Sequence, residues 1–244
     1  MFDREAFELE KNQEIKRALA DPELLRKGRD FLIHSDRYKY GYYWTWMGLP
    51  IIQMPEDIAL TQEIMWETKP DFVIEAGIAW GGSLALYAAF QELQGFGKVI
   101  GIDVTIPAHN RDAIMSTPVS HRITLIEGSS SDPEVFERVS SQIPIGSNVL
   151  LVLDSNHTHE HVLAELNLWS PLLQKGNYII VSDTVVEYIP EQQHRVRPWG
   201  HGNNPMTATK EFLKKNNRFS SKNKYSDRAF ASFNPSGYLL CVKS

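Results

Sequence analysis

The sequence predicts an α/β fold in which helices cover both faces of a mostly parallel sheet. From Asp71 onward, short apolar runs alternate with helical patterns, and the runs occupy residues 72–76, 98–104, 122–128, 148–154 and 177–183. This alternation is typical of βαβ units. The runs are apolar at nearly every position, as expected of strands that helices cover on both sides. A chain of 244 residues that is 42% hydrophobic is long enough to bury the core of one large domain.

Composition also limits the class of partner. The net charge of −5 and the pI near 5.9 argue against a broad surface for nucleic acid or an anionic membrane, which require clustered Lys and Arg. We expect a small-molecule substrate, and also a homo-oligomer. Cys241 is the single cysteine, which excludes an intrachain disulfide and fits the cytoplasm. The N-terminus lacks an apolar signal segment, and no run reaches the roughly 20 apolar residues that span a bilayer.

The two ends of the chain differ from the alternating region. Residues 1–70 begin with charged helical sequence and become aromatic, which predicts an N-terminal extension over the ligand edge of an α/β domain at residues 71–244. The aromatic residues are Tyr38, Tyr40, Tyr42, Tyr43, Trp44 and Trp46. They suit a wall for a sugar ring or a polycyclic acceptor, although alternation sends half of them to the core. A helix near Thr207–Asn216 precedes a predicted terminal hairpin around an Asn-Pro-Ser-Gly turn.

A glycine-rich turn, EAGIAWGGS at residues 75–83, follows the first of these strands. In open α/β sheets the first strand-to-helix turn is the usual nucleotide site. Gly77 allows a sharp turn, and Gly81 and Gly82 allow a ligand and the helix to approach the backbone closely. Asp103, at the end of the next strand, is placed to accept hydrogen bonds from ribose hydroxyls. The turn and Asp103 together predict a nucleoside-binding site.

The spacing of the glycine turn favours a methyl donor over a dinucleotide. A dinucleotide site has G-x-G-x-x-G, whereas this turn has E-x-G-x-x-x-G-G-S, with Glu75 before the first glycine. A carboxylate repels a pyrophosphate but suits the ammonium and sulfonium charges of S-adenosylmethionine (SAM). The alternative is that the glycines only permit tight packing of the strand on the helix. In the third strand end, EGSSSD, Ser130 is placed to hydrogen-bond an adenine edge and Asp132 to cap a helix.

Acids and histidines follow the fourth and fifth strands. The fourth ends in LVLDSNHTHEHV, with Asp154 and His157, and the fifth ends in VSDT, with Asp183. Two carboxylates at neighbouring strand ends suit a shared Mg²⁺, which lowers the pKa of an acceptor hydroxyl. His157 is placed to take the proton of that hydroxyl. Alternatively, both acids cap the following helices, and His159 and His161 belong to a solvated helix start or an adventitious zinc site.

A segment rich in glycine and proline, RVRPWGHGNNP, runs from Arg195 to Pro205. The residues leave two interpretations open, a loop that closes over the substrate and a long surface connection. We expect the aromatic extension and the region of residues 187–205 to select the acceptor.

Several of these motifs, in the same order, resemble the cephalosporin hydroxylase/rhamnosyl O-methyltransferase family. The resemblance lies in PEDIALTQEIMWETKPDFVIEAGIAWGGSLALYAA, LVLDSNHTHEHVLAELNLWSPLL, GNYIIVSDT and FNPSGYL, and it covers roughly residues 35–242. It implies the Rossmann-like fold of class I SAM-dependent methyltransferases, with a seven-stranded sheet and an antiparallel last strand. It also implies O-methyl transfer to a sugar or natural product, assisted by Mg²⁺.

The resemblance assigns a role to each candidate residue. The SAM contacts are Glu75, Gly77, Gly82 and Ser83 in the glycine turn, Asp103 at the ribose and Ser130 at the adenine. The catalytic residues are His157, as the base, and Asp154, and the metal ligands are Asp154 and Asp183.

One departure from the family lies at the end of the fifth strand. The family commonly has Glu-Asp-Thr there, whereas this chain has Ser182, Asp183 and Thr184. The missing carboxylate predicts weaker cation binding unless Glu187 or Thr184 supplies a ligand. Ser182 also motivates an alternative function, a non-catalytic cofactor-binding or assembly subunit of a biosynthetic enzyme pair. A nicotinamide oxidoreductase is disfavoured by the spacing of the glycine turn.

Overall fold

The computed structural model describes residues 3–191 and 196–243. The strands are β1 (Trp44–Trp46), β2 (Leu49–Ile51), β3 (Phe72–Ala76), β4 (Lys98–Asp103), β5 (Ile123–Glu127), β6 (Val149–Leu153), β7 (Tyr178–Val181), β8 (Phe219–Ser220) and β9 (Tyr238–Cys241). The α-helices are α1 (Arg4–Leu19), α2 (Pro22–Asp36), α3 (Pro55–Thr68), α4 (Gly82–Gln94), α5 (Ala108–Met115), α6 (Pro133–Ser140), α7 (His159–Trp169) and α8 (Pro205–Lys215).

One large sheet organises the fold. Its seven strands run in the order β5-β4-β3-β6-β7-β9-β8, and β1 and β2 form a separate hairpin. The strands from β5 to β7 are parallel, whereas β9 is antiparallel to both β7 and β8. The predicted α/β fold with an antiparallel last strand is therefore confirmed. From β3 the chain adds strands first toward β5 and then, from β6 onward, toward the opposite edge of the sheet. An open α/β sheet forms its ligand crevice at such a switch point, here between β3 and β6.

Alternate strand residues face two separate hydrophobic layers. Val73 packs in the layer formed with α3, α4 and α5, while Ile74 packs in the layer formed with α6, α7 and α8. Both side chains are fully buried. The strands are apolar throughout because helices cover both of their faces.

The predicted terminal hairpin is wrong in its first strand. β9 does follow the Asn-Pro-Ser-Gly turn, but its antiparallel partners are β7 and the two-residue β8. The residues just before the turn are instead held by α3, whose buried Asp57 accepts hydrogen bonds from Ser232 Oγ and the Phe233 amide. Asp57 also accepts a hydrogen bond from Tyr238 Oη at the start of β9. A buried carboxylate thus replaces the strand partner that the turn predicted.

The N-terminal extension contacts the domain through its hairpin, which packs on α4, and through α3, which covers one face of the sheet. Asp3 and Asp21 cap α1 and α2 by accepting hydrogen bonds from amides of the first turn. α1 buries no residue, whereas β1 and β2 contact α4 directly. The extension therefore meets the helix that starts at the glycine turn. Within the described ranges, no helix combines the length and the apolar composition that a membrane span requires.

Candidate active site

The glycine turn brings three chain segments together so closely that side chains do not fit. Gly77 has a φ of +87°, and a Cβ atom there would lie 2.1 Å from the carbonyl oxygen of Asp154. A Cβ atom on Gly82 would lie 2.3 Å from the carbonyl oxygen of Pro50. Gly77 thus lets the ends of β3 and β6 touch, and Gly82 lets the extension pack on the start of α4.

Asp103 and α5 hold this turn in place. Asp103 Oδ2 accepts a hydrogen bond from the Ile78 amide at 3.0 Å, and Asn110 Nδ2 donates to the Ala79 carbonyl oxygen at 2.9 Å. Ala79 has a φ of +41°, which a residue with a side chain adopts only when its surroundings impose it. The predicted ribose acid therefore also supports the backbone of the turn.

Glu75 lies fully buried beneath the turn. Its carboxylate accepts hydrogen bonds from Ser83 Oγ at 2.8 Å and from Tyr87 Oη at 3.3 Å. Burial raises the pKa of Glu75 well above its usual value, and the nearby Asp154 and Asp103 contribute to the rise. Ser83 lines the cleft above the turn, whereas Glu75 does not. Ser83 therefore links the buried carboxylate of Glu75 to the cleft.

Asp154, His157 and Asp183 meet at the carboxyl edge of the sheet, and we call them the acid–histidine group. Asp154 follows β6 and Asp183 follows β7, and these strands are parallel neighbours. His157 Nε2 lies 3.2 Å from Asp154 Oδ1, and His157 Nδ1 lies 3.1 Å from Asp183 Oδ2. One ligand atom from each residue lies within 4.8 Å of the other two. The structure thus adds a nitrogen to the predicted pair of acids.

The two carboxylates control the charge of His157. Burial lowers the pKa of His157, but Asp183 and Asp154 raise it by more, above its usual range. Burial raises the pKa of Asp154, although the hydrogen bond with His157 opposes this. With both acids facing it, the imidazole holds its proton at neutral pH. Nδ1 is buried at ion-pair distance from Asp183, yet it has no partner in hydrogen-bond geometry within the described part of the chain.

The acid–histidine group fits a divalent cation. Carboxylate oxygens and an imidazole nitrogen are common ligands of divalent metals, and the oxygens are those that Mg²⁺ prefers. The helix-capping alternative is wrong for both acids. α7 has Thr158 at its cap position, and the carboxylate of Asp183 makes no capping hydrogen bond to the short 3₁₀-helix that follows it.

Neither residue suggested as a replacement for the missing acid joins the group. Thr184 is fully buried and donates a hydrogen bond to the Pro235 carbonyl oxygen at 2.8 Å. Glu187 accepts hydrogen bonds from the Gly202 amide at 3.0 Å and from Asn204 Nδ2 at 2.6 Å. Glu187 therefore anchors the chain that leads into α8 rather than a cation.

Ser182 does not belong to the acid–histidine group either. It is 6% exposed, and its amide continues the sheet by donating to the Leu153 carbonyl oxygen at 2.9 Å. Asp154 and Asp183 meet beside His157 without an acid at position 182. Ser182 alone therefore does not argue for a non-catalytic subunit.

Ser130 lies in a buried polar network beside the cleft. Its Oγ donates to Glu165 Oε1 at 2.5 Å, and Ser155 Oγ donates to the same oxygen at 2.6 Å. His161 Nε2 lies 3.3 Å from Ser130 Oγ, so this histidine is structural. Because the Ser130 proton is used on Glu165, only its lone pairs remain for a ligand. Asp132 caps α6 by accepting a hydrogen bond from the Glu134 amide, as its position predicts.

The glycine turn and the acid–histidine group line one cleft of about 810 Å³. The extension contributes residues 50–53 and Tyr42, so one tyrosine of the aromatic stretch reaches the cleft. Two tryptophans that sequence reasoning missed also line it, Trp80 in the glycine turn and Trp199 in the segment before α8. Trp80 is 47% exposed, and its signal in the sequence was a large apolar residue within a glycine-rich ligand turn.

Trp199 packs on the proposed base. Its ring centroid lies 5.0 Å from that of His157, and the Arg197 guanidinium lies 5.1 Å from the indole centroid. The segment is fixed by a bridge between Gly200 and Asn203, whose Oδ1 also accepts from the His159 amide at 2.9 Å. These contacts favour a role at the site over a plain surface connection. The first residue of the predicted segment, Arg195, lies outside the described residues.

The comparisons with known proteins agree with this geometry. The family model described as Rhamnosyl O-methyltransferase/CmcI matches residues 38–242. A rhamnosyl O-methyltransferase of Mycobacterium tuberculosis is 32% identical over 189 residues, which are 73% of this chain and 72% of the relative. A rhamnosyl O-methyltransferase of Mycobacterium leprae is 32% identical over 161 residues, which are 62% of this chain and 67% of the relative.

Solved structures show the same fold at lower identity. A CmcI structure with Mg and SAM has a TM-score of 0.59 and 24% identity, and covers 82% of this chain and 77% of that chain. A CmcI structure without ligand has a TM-score of 0.57 and 22% identity, and covers 83% and 78%. The protein therefore belongs to the Rhamnosyl O-methyltransferase/CmcI family of SAM-dependent O-methyltransferases.

Proposed function

We propose that the protein transfers the methyl group of SAM to a hydroxyl of a sugar or natural-product acceptor at the acid–histidine group. The observation that carries this proposal is the contact between the two sites, because Gly77 lies directly against the backbone of Asp154. A SAM molecule on the glycine turn then has its methyl group beside the acids. Its proposed binding residues are Gly77, Gly82, Ser83, Asp103 and Ser130, together with Glu75, which acts through Ser83. The mycobacterial relatives support a sugar hydroxyl as the acceptor.

The protein's own groups position the reactants and move one proton. Asp154 holds His157 Nε2 by the hydrogen bond at 3.2 Å, and Nδ1, at 3.1 Å from Asp183, is the nitrogen that would take the proton of the acceptor hydroxyl once His157 is neutral. The acceptor oxygen forms a bond to the methyl carbon while the carbon–sulfur bond breaks, and that electron pair stays on sulfur. Holding oxygen, carbon and sulfur in line provides most of the rate enhancement. The indole of Trp199 packs against the imidazole of His157.

Asp154 and Asp183 are the residues that hold a divalent cation, Mg²⁺, in this proposal. When bound, the cation lowers the pKa of the acceptor hydroxyl and offsets the two carboxylate charges. The two carboxylate charges raise the pKa of His157. A cation that offsets them would lower this pKa and so favour the neutral imidazole that a base requires.

Asp154→Asn tests the proposed chemistry. We expect calorimetry to show S-adenosylhomocysteine binding like wild type but no Mg²⁺ uptake. Methyl transfer from labelled SAM to sugar-bearing acceptors should fall by about 10²–10⁴-fold. Asp112→Asn, which changes an exposed acid outside the cleft, is the control. Wild-type turnover of Asp154→Asn would remove Asp154 from the mechanism, and failure of the wild type to bind S-adenosylhomocysteine would refute the cofactor site.

Three broader predictions accompany this proposal. We retain the division into an extension at residues 1–70 and a methyltransferase domain at 71–244, and the cleft-lining residues 50–53 support a role of the extension at the active site. We also retain a cytoplasmic homo-oligomer. The exposed Phe7, Leu9 and Phe31 on α1 and α2 are candidates for contacts between subunits. Light scattering of the full chain tests the assembly, and a monomer at every concentration would contradict it.

A further inference from the structure

The side-chain amide of Gln53 is unsatisfied at one end. Gln53 follows β2 in the extension and lines the cleft, as Ser83 does. Its Nε2 donates to Tyr87 Oη at 3.4 Å, near the limit of a hydrogen bond. Its Oε1 is enclosed and has no hydrogen-bond partner among the described residues. An enclosed carbonyl oxygen without a donor costs free energy, because nothing replaces its hydration.

Gln53 is the cleft end of a polar chain that starts at Glu75. Tyr87 Oη donates to Glu75 Oε1 at 3.3 Å, and Ser83 Oγ donates to Glu75 Oε2 at 2.8 Å. Glu75 and Tyr87 are buried, whereas Gln53 and Ser83 line the cleft. Every oxygen of this chain except Gln53 Oε1 therefore takes part in a hydrogen bond. Because Gln53 lines the cleft, a ligand there is a candidate donor for Oε1.

The surrounding charges favour a cationic donor. Glu75, Asp103 and Asp154 lie near one another, and each of the other two acids disfavours the charge on Glu75. The cleft-lining residues of the extension and the turn, at positions 50–53 and 77–83, have no cationic side chain. A positively charged N–H group is therefore attracted more strongly than a neutral hydroxyl, and an anion is repelled.

We propose that Gln53 Oε1 accepts a hydrogen bond from the ammonium group of SAM. The inference rests on the proposed place of SAM at the glycine turn. Rotation of the Gln53 side chain, whose last torsion angle is broad and soft, would bring Oε1 to the ligand and release the long hydrogen bond from Nε2 to Tyr87 Oη. The N-terminal extension then binds the cofactor itself, next to the polar chain that holds Glu75.

Calorimetry with two ligands tests the contact. S-adenosylhomocysteine has the ammonium group, and its deamino analogue lacks only that group. Gln53→Leu removes the acceptor at similar volume, so it should weaken S-adenosylhomocysteine about tenfold and the analogue less than about twofold. Gln53→Glu keeps an acceptor oxygen and should retain the preference for the ammonium ligand. Gln94→Leu is the matched control, because Gln94 also has an enclosed, unpartnered Oε1 but does not line the cleft.

The outcomes separate this inference from the proposed function. If the wild type binds neither ligand, the cofactor site and the contact both fail. If the wild type binds S-adenosylhomocysteine and Gln53→Leu binds it equally well, or weakens both ligands alike, the ammonium contact alone is overturned. If Gln53→Leu unfolds in a circular-dichroism melt, Gln53→Glu decides, and loss of its preference for the ammonium ligand overturns the contact.

Discussion

The cofactor side and the acceptor side of the cleft are built in different ways. On the cofactor side the backbone forms the surface, because Gly77 and Gly82 leave no room for a Cβ atom and Asp103 holds the turn. On the acceptor side, side chains form the surface, and they come from distant segments, as Tyr42 and Trp199 show. A backbone surface tolerates little change, whereas a surface of side chains changes by substitution. We therefore expect this enzyme to hold its methyl donor mainly by backbone geometry and to select its acceptor by side chains.

The largest expected effect is a loss of stability and cofactor binding in Gly77→Ala that Gly202→Ala does not share, although the two glycines have similar φ angles. Gly77 and Gly202 have φ values of +87° and +80°, but a Cβ atom on Gly202 would meet no atom of the described residues within 4 Å. We expect Gly77→Ala to lower the free energy of unfolding by about 4 kcal/mol or more and to abolish S-adenosylhomocysteine binding. Gly202→Ala should cost only about 1 kcal/mol of left-handed backbone strain. Urea unfolding and calorimetry measure both, and equal losses would contradict a backbone-built cofactor side.

On the acceptor side, we expect the stability of the protein to depend on pH through Asp57. Phe233 lines the cleft, and its amide is held by Asp57 Oδ2 at 2.8 Å. Burial raises the pKa of Asp57 from 3.8 to about 6, although hydrogen bonds from Ser232 and Tyr238 oppose the rise. The folded state therefore binds this proton more tightly than the unfolded state. The resulting stabilisation is complete below the unfolded-state pKa of 3.8 and is lost as the pH rises through the folded-state pKa of about 6.

Asp57→Asn isolates that contribution. Between about pH 3 and pH 7, the unfolding free energy of the wild type should fall relative to that of Asp57→Asn by roughly 3 kcal/mol. The neighbouring Glu56, whose pKa burial also raises, is present in both proteins and largely cancels in the difference. Urea unfolding at several pH values measures it. A difference that stays constant with pH would show that Asp57 does not titrate in this range.

The sequence predicts most of the sheet and half of the site, for one physical reason. Parallel strands covered on both faces are apolar throughout, so β3 matches its predicted residues 72–76 and β6 lies within its predicted run. Because the carboxyl ends of neighbouring parallel strands meet at one edge of a sheet, the sequence predicts that Asp154 and Asp183 lie close together, as they do.

The rest depends on contacts that leave no periodic signal. The two-residue β8 is too short to be recognised, so the partner of β9 was predicted wrongly. The double contact of His157 with two acids depends on a side-chain orientation that spacing does not determine. Gln53 meets Tyr87 across 34 positions of the chain, and nothing local marks the pair. Side-chain surfaces assembled from distant segments are therefore the part of this enzyme that a sequence pattern reveals least.

The smallest expected effects come from replacing one tryptophan on each side of the cleft. Trp199 packs on His157 and Trp80 belongs to the glycine turn, and both line the cleft. Because an acceptor loses an aromatic wall, Trp199→Ala should raise its KM about tenfold and leave S-adenosylhomocysteine affinity unchanged. Trp80→Ala should instead weaken S-adenosylhomocysteine by a similar factor. Trp66→Ala, an exposed tryptophan outside the cleft, should change neither. If the two cleft variants exchanged these effects, Trp80 would belong to the acceptor side and Trp199 to the cofactor side, and the boundary drawn between the two sides would be wrong.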